Sequence, residues 1–298
     1  MTASIDLSQY PAPEVLEDLG YEEIFDEIKE HFLSQFPEGE TEAAEKGVPT
    51  RAKAALLMDV EGNLVVKALQ AYAYHAIQMR ARVNDAAKAT MLAYATGTDL
   101  DNLAAFYMVE RRDGESDTEL RDRLVLAVDG FSTAGPVGAY KFHGLSADAD
   151  VKDIGVQSPT PGQVLITVLS RSGNGTAAQA LLDTVDAALN DEDVRPLTDQ
   201  VVVQAATVNQ YQIDADIWCY GNVDSAVVRA AAEEAAQAYA DAMHRLGHDV
   251  TISGLHRALH QPGVQRVEIN QPAASIVNDA HEAGFCTGVT VNYEGIDV

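Results

Sequence analysis

The spacing of apolar residues divides the chain into a helical first part and an alternating second part. Tyr10-Pro11-Ala12-Pro13 reads as an extended arm, because each proline fixes its own φ and restricts its predecessor. Over 14–36, Leu16, Leu19, Ile24, Phe25, Ile28, Phe32 and Phe36 recur at helical spacing with acids between them. Pro37-Glu38-Gly39 closes that element. Residues 52–93 predict a long alanine-rich helix, broken near Gly62-Asn63, with Leu56, Leu64, Leu69, Tyr72, Ile77, Val83, Met91 and Leu92 as apolar positions. Alanine favours helix and adds little bulk, so such a helix suits close approach by a partner helix. Gly97-Thr98-Asp99 predicts a stop followed by an N-cap, and 100–109 a short apolar helix. Asp113-Gly114-Glu115-Ser116 predicts a turn, and Ser116-Asp117-Thr118-Glu119 a capping box for a helix to about Val128.

The pattern changes at Ser132-Thr133-Ala134-Gly135-Pro136. Residues 150–156 and 164–170 are β-branched and alternating, with a Pro/Gly turn between them. A helix at 176–190, strands at 199–206 and 211–220, helices at 224–246 and 251–260, and strands at 264–270 and 285–293 complete the reading. The predicted class is α+β: a helical N-terminal region, 1–130, then two small α/β units with mainly antiparallel strands, 131–207 and 208–298.

Charge narrows the function classes. The 298 residues include 46 acids and 20 lysines and arginines, a formal charge of −26. Coating DNA or RNA needs clustered cations, and adsorption to an anionic membrane needs the same, so neither partner is expected. The acids lie on the flanks: the net charge is −11 over 1–50, −2 over 51–130 and −13 over 131–298. Arginines gather in the middle, as Arg80 and Arg82, then Arg111, Arg112, Arg121 and Arg123. They form either a solvated face or a surface on which an acidic arm of a neighbouring subunit docks. Adaptation to high salt is a third source of the acidity. Cys219 and Cys286 form no disulfide framework and are read as reduced cysteines in or near a core. The start lacks a basic and apolar leader pattern, and the apolar runs are too short to span a bilayer, which predicts a soluble protein assembled in a cytoplasm.

Chemistry-bearing motifs are weak. Gly173-Asn174-Gly175-Thr176-Ala177-Ala178, with Asp191 and Asp193 further on, outlines a dinucleotide fingerprint. Its strand is expected in a hairpin with 150–156 rather than in a parallel sheet, which argues against a nucleotide. His244/His248 and His256/His260 stand at the spacing of a zinc pair, but read as surface histidines at helix ends. Asp148, Asp150 and Asp153, and Asp99 with Asp101, lack the glycine and terminal glutamate of a calcium loop. Asp214 and Asp216 alternate with Ile213 and Ile217, so they face solvent. No phosphate loop, HExxH or nucleophile elbow occurs. No residue is assigned a catalytic, cofactor-binding or metal-binding role.

A series of segments, taken in order, is more specific than any of these motifs. They include Ile5-Asp6-Leu7, Arg82-Val83-Asn84-Asp85-Ala86-Ala87, Gly97-Thr98-Asp99-Leu100-Asp101 and Glu115-Ser116-Asp117-Thr118. The most distinctive are Ala134-Gly135-Pro136-Val137-Gly138-Ala139-Tyr140 and His143-Gly144-Leu145-Ser146-Ala147-Asp148. Leu189-Asn190-Asp191-Glu192-Asp193-Val194-Arg195-Pro196, His244-Arg245-Leu246-Gly247, Gly263-Val264-Gln265-Arg266-Val267-Glu268 and Phe285-Cys286-Thr287 follow. Through these the chain resembles the baseplate J-like proteins of contractile-tailed bacteriophages, especially the short P2-like members. It departs from them at 110–116, where a longer insertion is expected.

The resemblance implies a structural, non-enzymatic protein of the virion tail baseplate, assembled in the host cytoplasm without cofactors. It implies a dimer of the chain joined by a smaller tail protein I-like subunit into a wedge, through an intertwined N-terminal bundle. It further implies contacts with neighbouring wedges, the sheath initiator, and the hub and spike proteins, in a ring that triggers sheath contraction. The same role in a headless contractile particle (a tailocin) is the alternative, and a nucleotide-binding α/β enzyme built on 173–178 a remote one.

Overall fold

The computed structural model describes residues 20–60, 62–132, 134–221 and 223–297, so the arm at 10–13 and the first part of the helix expected over 14–36 lie outside the described residues. The chain divides into two compact units, Ile5–Phe106 and Tyr107–Val298.

The first unit is helical: α1 (Tyr21–Leu33), α2 (Glu40–Lys46), α3 (Arg51–Met58), α4 (Leu64–Ala89) and α5 (Gly97–Phe106). The break expected near Gly62-Asn63 separates α3 from α4. There the Asn63 side chain accepts from the Val65 amide at 2.9 Å and donates to the Leu57 carbonyl at 3.1 Å. Helix α2 was not expected. It spans two turns between Gly39 and Gly47, whose φ of 65° closes it, and so short a run shows no periodicity. Helices α1 and α4 pack together, with Ile24, Val66 and Ala73 buried and Arg80 paired to Glu27 at 3.1 Å.

The larger unit opens with α6 (Asp117–Gly130), which carries both hydrogen bonds of the expected capping box, and α7 (Val137–Ala147). Helix α7 was missed because its glycines break the apolar pattern. They answer to packing: a Cβ on Gly138 would lie 1.8 Å from Asp129 Oδ2, and one on Gly144 3.1 Å from Ile154.

Two three-stranded sheets follow. The first has the order β1-β2-β3, from β1 (Val151–Gln157), β2 (Gln163–Ser170) and β3 (Gln200–Ala205), with α8 (Gln179–Leu189) crossing between the last two. Strands β1 and β2 form the expected antiparallel hairpin, and β3 joins β2 in parallel. The second has the order β5-β4-β6, from β4 (Thr207–Cys219), β5 (Val264–Gln271) and β6 (Glu282–Ile296). Here β5 is antiparallel and β6 parallel to β4. Alternation along β4 sends Ile213, Ala215 and Ile217 onto α9 (Ser225–Met243) and α10 (Ile252–Leu259). Helix α9 answers with Ala232, Ala236 and Ala240, all buried, so it lies close to the sheet. Each fully buried isoleucine or leucine stabilises by roughly 1.5–3 kcal/mol.

The two α/β modules meet along a seam. Ala206 alone separates β3 from β4, and its amide donates to the Val168 carbonyl at 2.9 Å. Leu169, Ala206 and Ala283 are buried there with Leu246 packed on them. The Leu246 amide reaches across to Asp153 Oδ2 at 3.0 Å.

Candidate assembly surface

Helix α4 is 26 residues long and has two different faces. At 3.6 residues per turn, Val66, Ala73 and Asn84 fall on one side and are buried. Val65, Tyr72 and Met79 are seven apart, with Val83 four beyond, and they form a stripe about 100–140° around the helix from that side. Their exposures are 39%, 61%, 49% and 47%. Ala68, Ala76 and Ala86 border the stripe, and His75 and Arg82 lie beyond it on one side. Of the apolar positions predicted for this helix, Tyr72 and Val83 fall in the stripe, Leu69 and Ile77 are half-buried, and Leu64 is exposed; the covered side is thin, with Val66 and Ala73 buried. A contiguous exposed apolar stripe of this kind marks a surface that meets another protein.

A buried charge network stands at the entry to the larger unit. Arg123 grips Glu115 with two bonds, Nε to Oε1 at 2.9 Å and Nη2 to Oε2 at 2.7 Å. Arg112 adds Nη2 to Oε1 and its own amide to Oε2, both at 3.0 Å. The Arg112 guanidinium also donates to the Leu145 and Asp148 carbonyls at the end of α7, and Arg123 donates to the Glu110 carbonyl. Burial by itself would raise Glu115. Hydrogen bonds from Arg123 and the Arg112 amide, with the charge of both guanidiniums, bring it down to about 2. Burial pulls Arg112 down, against the opposing Glu115 charge. For Arg112 and Arg123 neither a solvated face nor a docking surface holds. They are internal, and they pin the 110–116 turn to α6 and α7. Arg111 pairs with Asp117 at 2.7 Å, and Arg171 with Glu119.

The glycine turn sits in a more parallel setting than expected, since β2 lies between β1 and β3 and α8 links two parallel strands. The hairpin was visible locally, whereas the third strand arrives 30 residues later. Even so, the turn folds back on its own strand. Gly175 O accepts the Ser170 amide at 2.8 Å, and α8 begins only at Gln179. Gly175 has φ 100°, and a Cβ there would lie 2.9 Å from His244 Nε2 and 2.8 Å from Leu169. The chain's own histidine occupies the space beside the turn.

His244 is therefore no surface residue. Helix α9 stops at Met243, and the ring turns into the seam, 8% exposed, with Nδ1 2.7 Å from Gly284 O and an edge contact to Phe285. Burial lowers its pKa, a nearby Lys152 lowers it further, and the Gly284 carbonyl opposes both. His248, His256 and His260 are exposed, as expected. The aspartates serve separate local bonds: Asp150 accepts from Ser170 and Ser172, Asp148 from the Asp150 amide, Asp153 from Leu246. Asp99 and Asp101 lie on α5, and Asp191 and Asp193 in the turn after α8. Asp214 and Asp216 lie on the open face of β4, where Asn292 bonds to both and Asn270 to Asp216. Cys219 is buried and Cys286 half-buried, both free. Among the described residues no cluster of three or more His, Cys, Asp or Glu is disposed to hold a metal ion, and no helix is long and apolar enough to cross a membrane.

Three family models match the chain in order: the baseplate J-like N-terminal domain over 61–113, the central domain over 132–205 and the C-terminal domain over 211–292. Baseplate protein J of Escherichia phage P2 is 44% identical over 308 residues, spanning 98% of this chain and 99% of its own length. The chain belongs to the baseplate J-like family. The N-terminal match takes in α4 and its exposed stripe, and the central and C-terminal matches take in one sheet each. A cryo-EM structure of the anti-feeding prophage baseplate is also similar, with a TM-score of 0.38 and 14% identity over 58% of this chain and 42% of that one.

Proposed function

We propose that this baseplate J-like chain is a structural wedge subunit of a contractile tail, and that it performs no catalysis. The observation that carries the reading is the outer stripe of α4: Val65, Tyr72, Met79 and Val83 stand exposed along a long helix whose other face is already covered. Such a face becomes stable by packing into an interchain bundle, and association then contributes directly to folding stability. The occupants are a second copy of the chain and a smaller tail protein I-like subunit, and the resulting wedges close into a ring around the hub and spike. In this reading the chain works in three parts: 1–130 builds the bundle, and 131–207 and 208–298 supply the modules that contact neighbouring wedges. Assembly takes place in the host cytoplasm and the finished protein resides in the virion.

Native mass spectrometry of the chain co-expressed with the smaller subunit tests this. A complex of two copies with one partner is expected. Tyr72→Glu with Met79→Glu should abolish that complex while leaving the lone chain's unfolding within about 0.5 kcal/mol, as for exposed substitutions in general. A chain that stays monomeric beside the partner, or a complex indifferent to the double variant, refutes the bundle.

A further inference from the structure

The first α/β module is open at one end. The start of α7, the β1–β2 turn and the approach to β3 enclose a cavity of about 250 Å³ there. Val137, Val156 and Val164 give it apolar walls, Asp199 brings a carboxylate, and Gln157 and Gln163 also line it, with Gln163 Oε1 accepting from the Thr160 hydroxyl at 3.0 Å. One of the distinctive sequence segments, 134–140, lines it, and the end of another, at Pro196, packs beside it. Gly135, with φ 72°, lies so close to Pro196 that a Cβ would come within 2.8 Å. Tyr140, 2% exposed, donates to Asp199 Oδ2 at 2.8 Å and fixes the carboxylate in place.

Asp199 is not used up by these contacts. Among the described residues its Oδ1 receives only a long bond from the Thr198 hydroxyl, 3.3 Å, and a carboxylate has about four acceptor positions. The nearby Arg195 guanidinium donates to the Asp199 backbone carbonyl at 3.1 Å. The loop leading in carries three exposed acids, Asp191, Glu192 and Asp193, and Leu197 at its tip is 99% exposed. Apolar walls around a carboxylate, set in an acidic surface, match a side chain with an alkyl stem and a cationic head. The acceptor positions left on the carboxylate favour a planar, forked set of donors over a compact ammonium.

We propose that this cavity seats an arginine side chain presented by a neighbouring baseplate protein, its stem among the valines and its guanidinium on Asp199. The source of that arginine rests on the assembly role above, whereas the chemistry of the cavity does not. The net −13 of the 131–298 part complements a partner protein that presents the arginine from a basic surface.

Methyl NMR of the full chain with labelled valines tests the proposal, with Nα-acetyl-arginine N-methylamide as the probe and its norleucine analogue as the control. Saturable shifts at Val137, Val156 and Val164 are expected with the arginine probe, in the millimolar range of a single side chain, up to about 50 mM. Asp199→Asn, which keeps an acceptor for Tyr140, should weaken binding about tenfold, and Gln163→Glu should tighten it several-fold. No saturation, equal binding of the norleucine analogue, or indifference to both substitutions overturns the proposal. The probe needs no partner protein, so its failure leaves the wedge complex untouched, and failure of the complex leaves the probe result standing.

Discussion

Replacing Glu115 by glutamine removes one charge from the centre of the Arg112–Glu115–Arg123 network and leaves two guanidiniums facing each other. The Glu115 and Arg123 side chains are 1% and 5% exposed, so solvent screens this loss very little. The magnitude follows from proton linkage. Glu115 ionises at about 2 in the fold rather than at its ordinary 4.5. At 1.36 kcal/mol per pKa unit, that preference amounts to roughly 3 kcal/mol. Breaking a buried pair by removing one partner costs about 3–5 kcal/mol by independent measure, so the two routes agree. The sign is set by the folded value lying below the unfolded one. The contribution is complete above about pH 4.5 and lost as pH falls through about 2. Glu115→Gln should therefore cost about 3–5 kcal/mol near neutral pH, and the gap from wild type should close in strong acid. Urea unfolding followed by circular dichroism gives the global value. Hydrogen exchange of peptides from 108–125 and 140–149 locates it, since the network ties those segments together. A loss under about 1 kcal/mol at neutral pH, or one that does not change with pH, would refute the electrostatic account.

Gly175→Ala forces a Cβ against His244 and Leu169 at φ 100° and should cost roughly 1–3 kcal/mol in urea unfolding; an unchanged midpoint contradicts the packing described. His244 is held neutral in the fold, its pKa lowered from 6.5, so its contribution is complete above that value and fades as pH falls through the folded pKa. Wild-type stability should drop as pH falls below about 6.5, and His244→Gln should flatten that part of the profile; equal slopes in the two proteins count against it. Asn278 donates to His248 O at 2.6 Å and accepts from Asn209 at 2.8 Å. Asn278→Ala should cost about 1–3 kcal/mol and speed amide exchange over 246–250, and protection equal to wild type would dispose of its bracing role.

The elements that were legible in sequence each carried their own local signal. The Ser116 capping box, the Asn63 break and the β1–β2 hairpin are written within a few residues. Apart from the two-turn α2, the features that were missed depend on partners distant in sequence. Helix α7 is shaped by Asp129 and Ile154 pressing on its glycines, and no periodicity reports that. His244 and Gly175, weighed separately as a metal ligand and a phosphate turn, are a single contact across 69 residues. For the arginines, sequence showed clustering but not depth: nothing in Arg111-Arg112 says which one turns inward onto Glu115. On α4 the apolar positions were visible as one set. Which side of the helix is covered followed only once α1 was seen to pack on it.

The junction at Ala206 has a mechanical consequence. Strands β3 and β4 run on from one another with a single residue between them, so 200–219 form one extended segment belonging to both sheets. At about 3.3 Å per residue, this is a strut with a contour length of roughly 65 Å. Extended chain clamped by strand pairing at both ends barely stretches. A pull applied at one end therefore reaches the other with little extension, and the two modules are coupled through the backbone itself as well as through the seam between them.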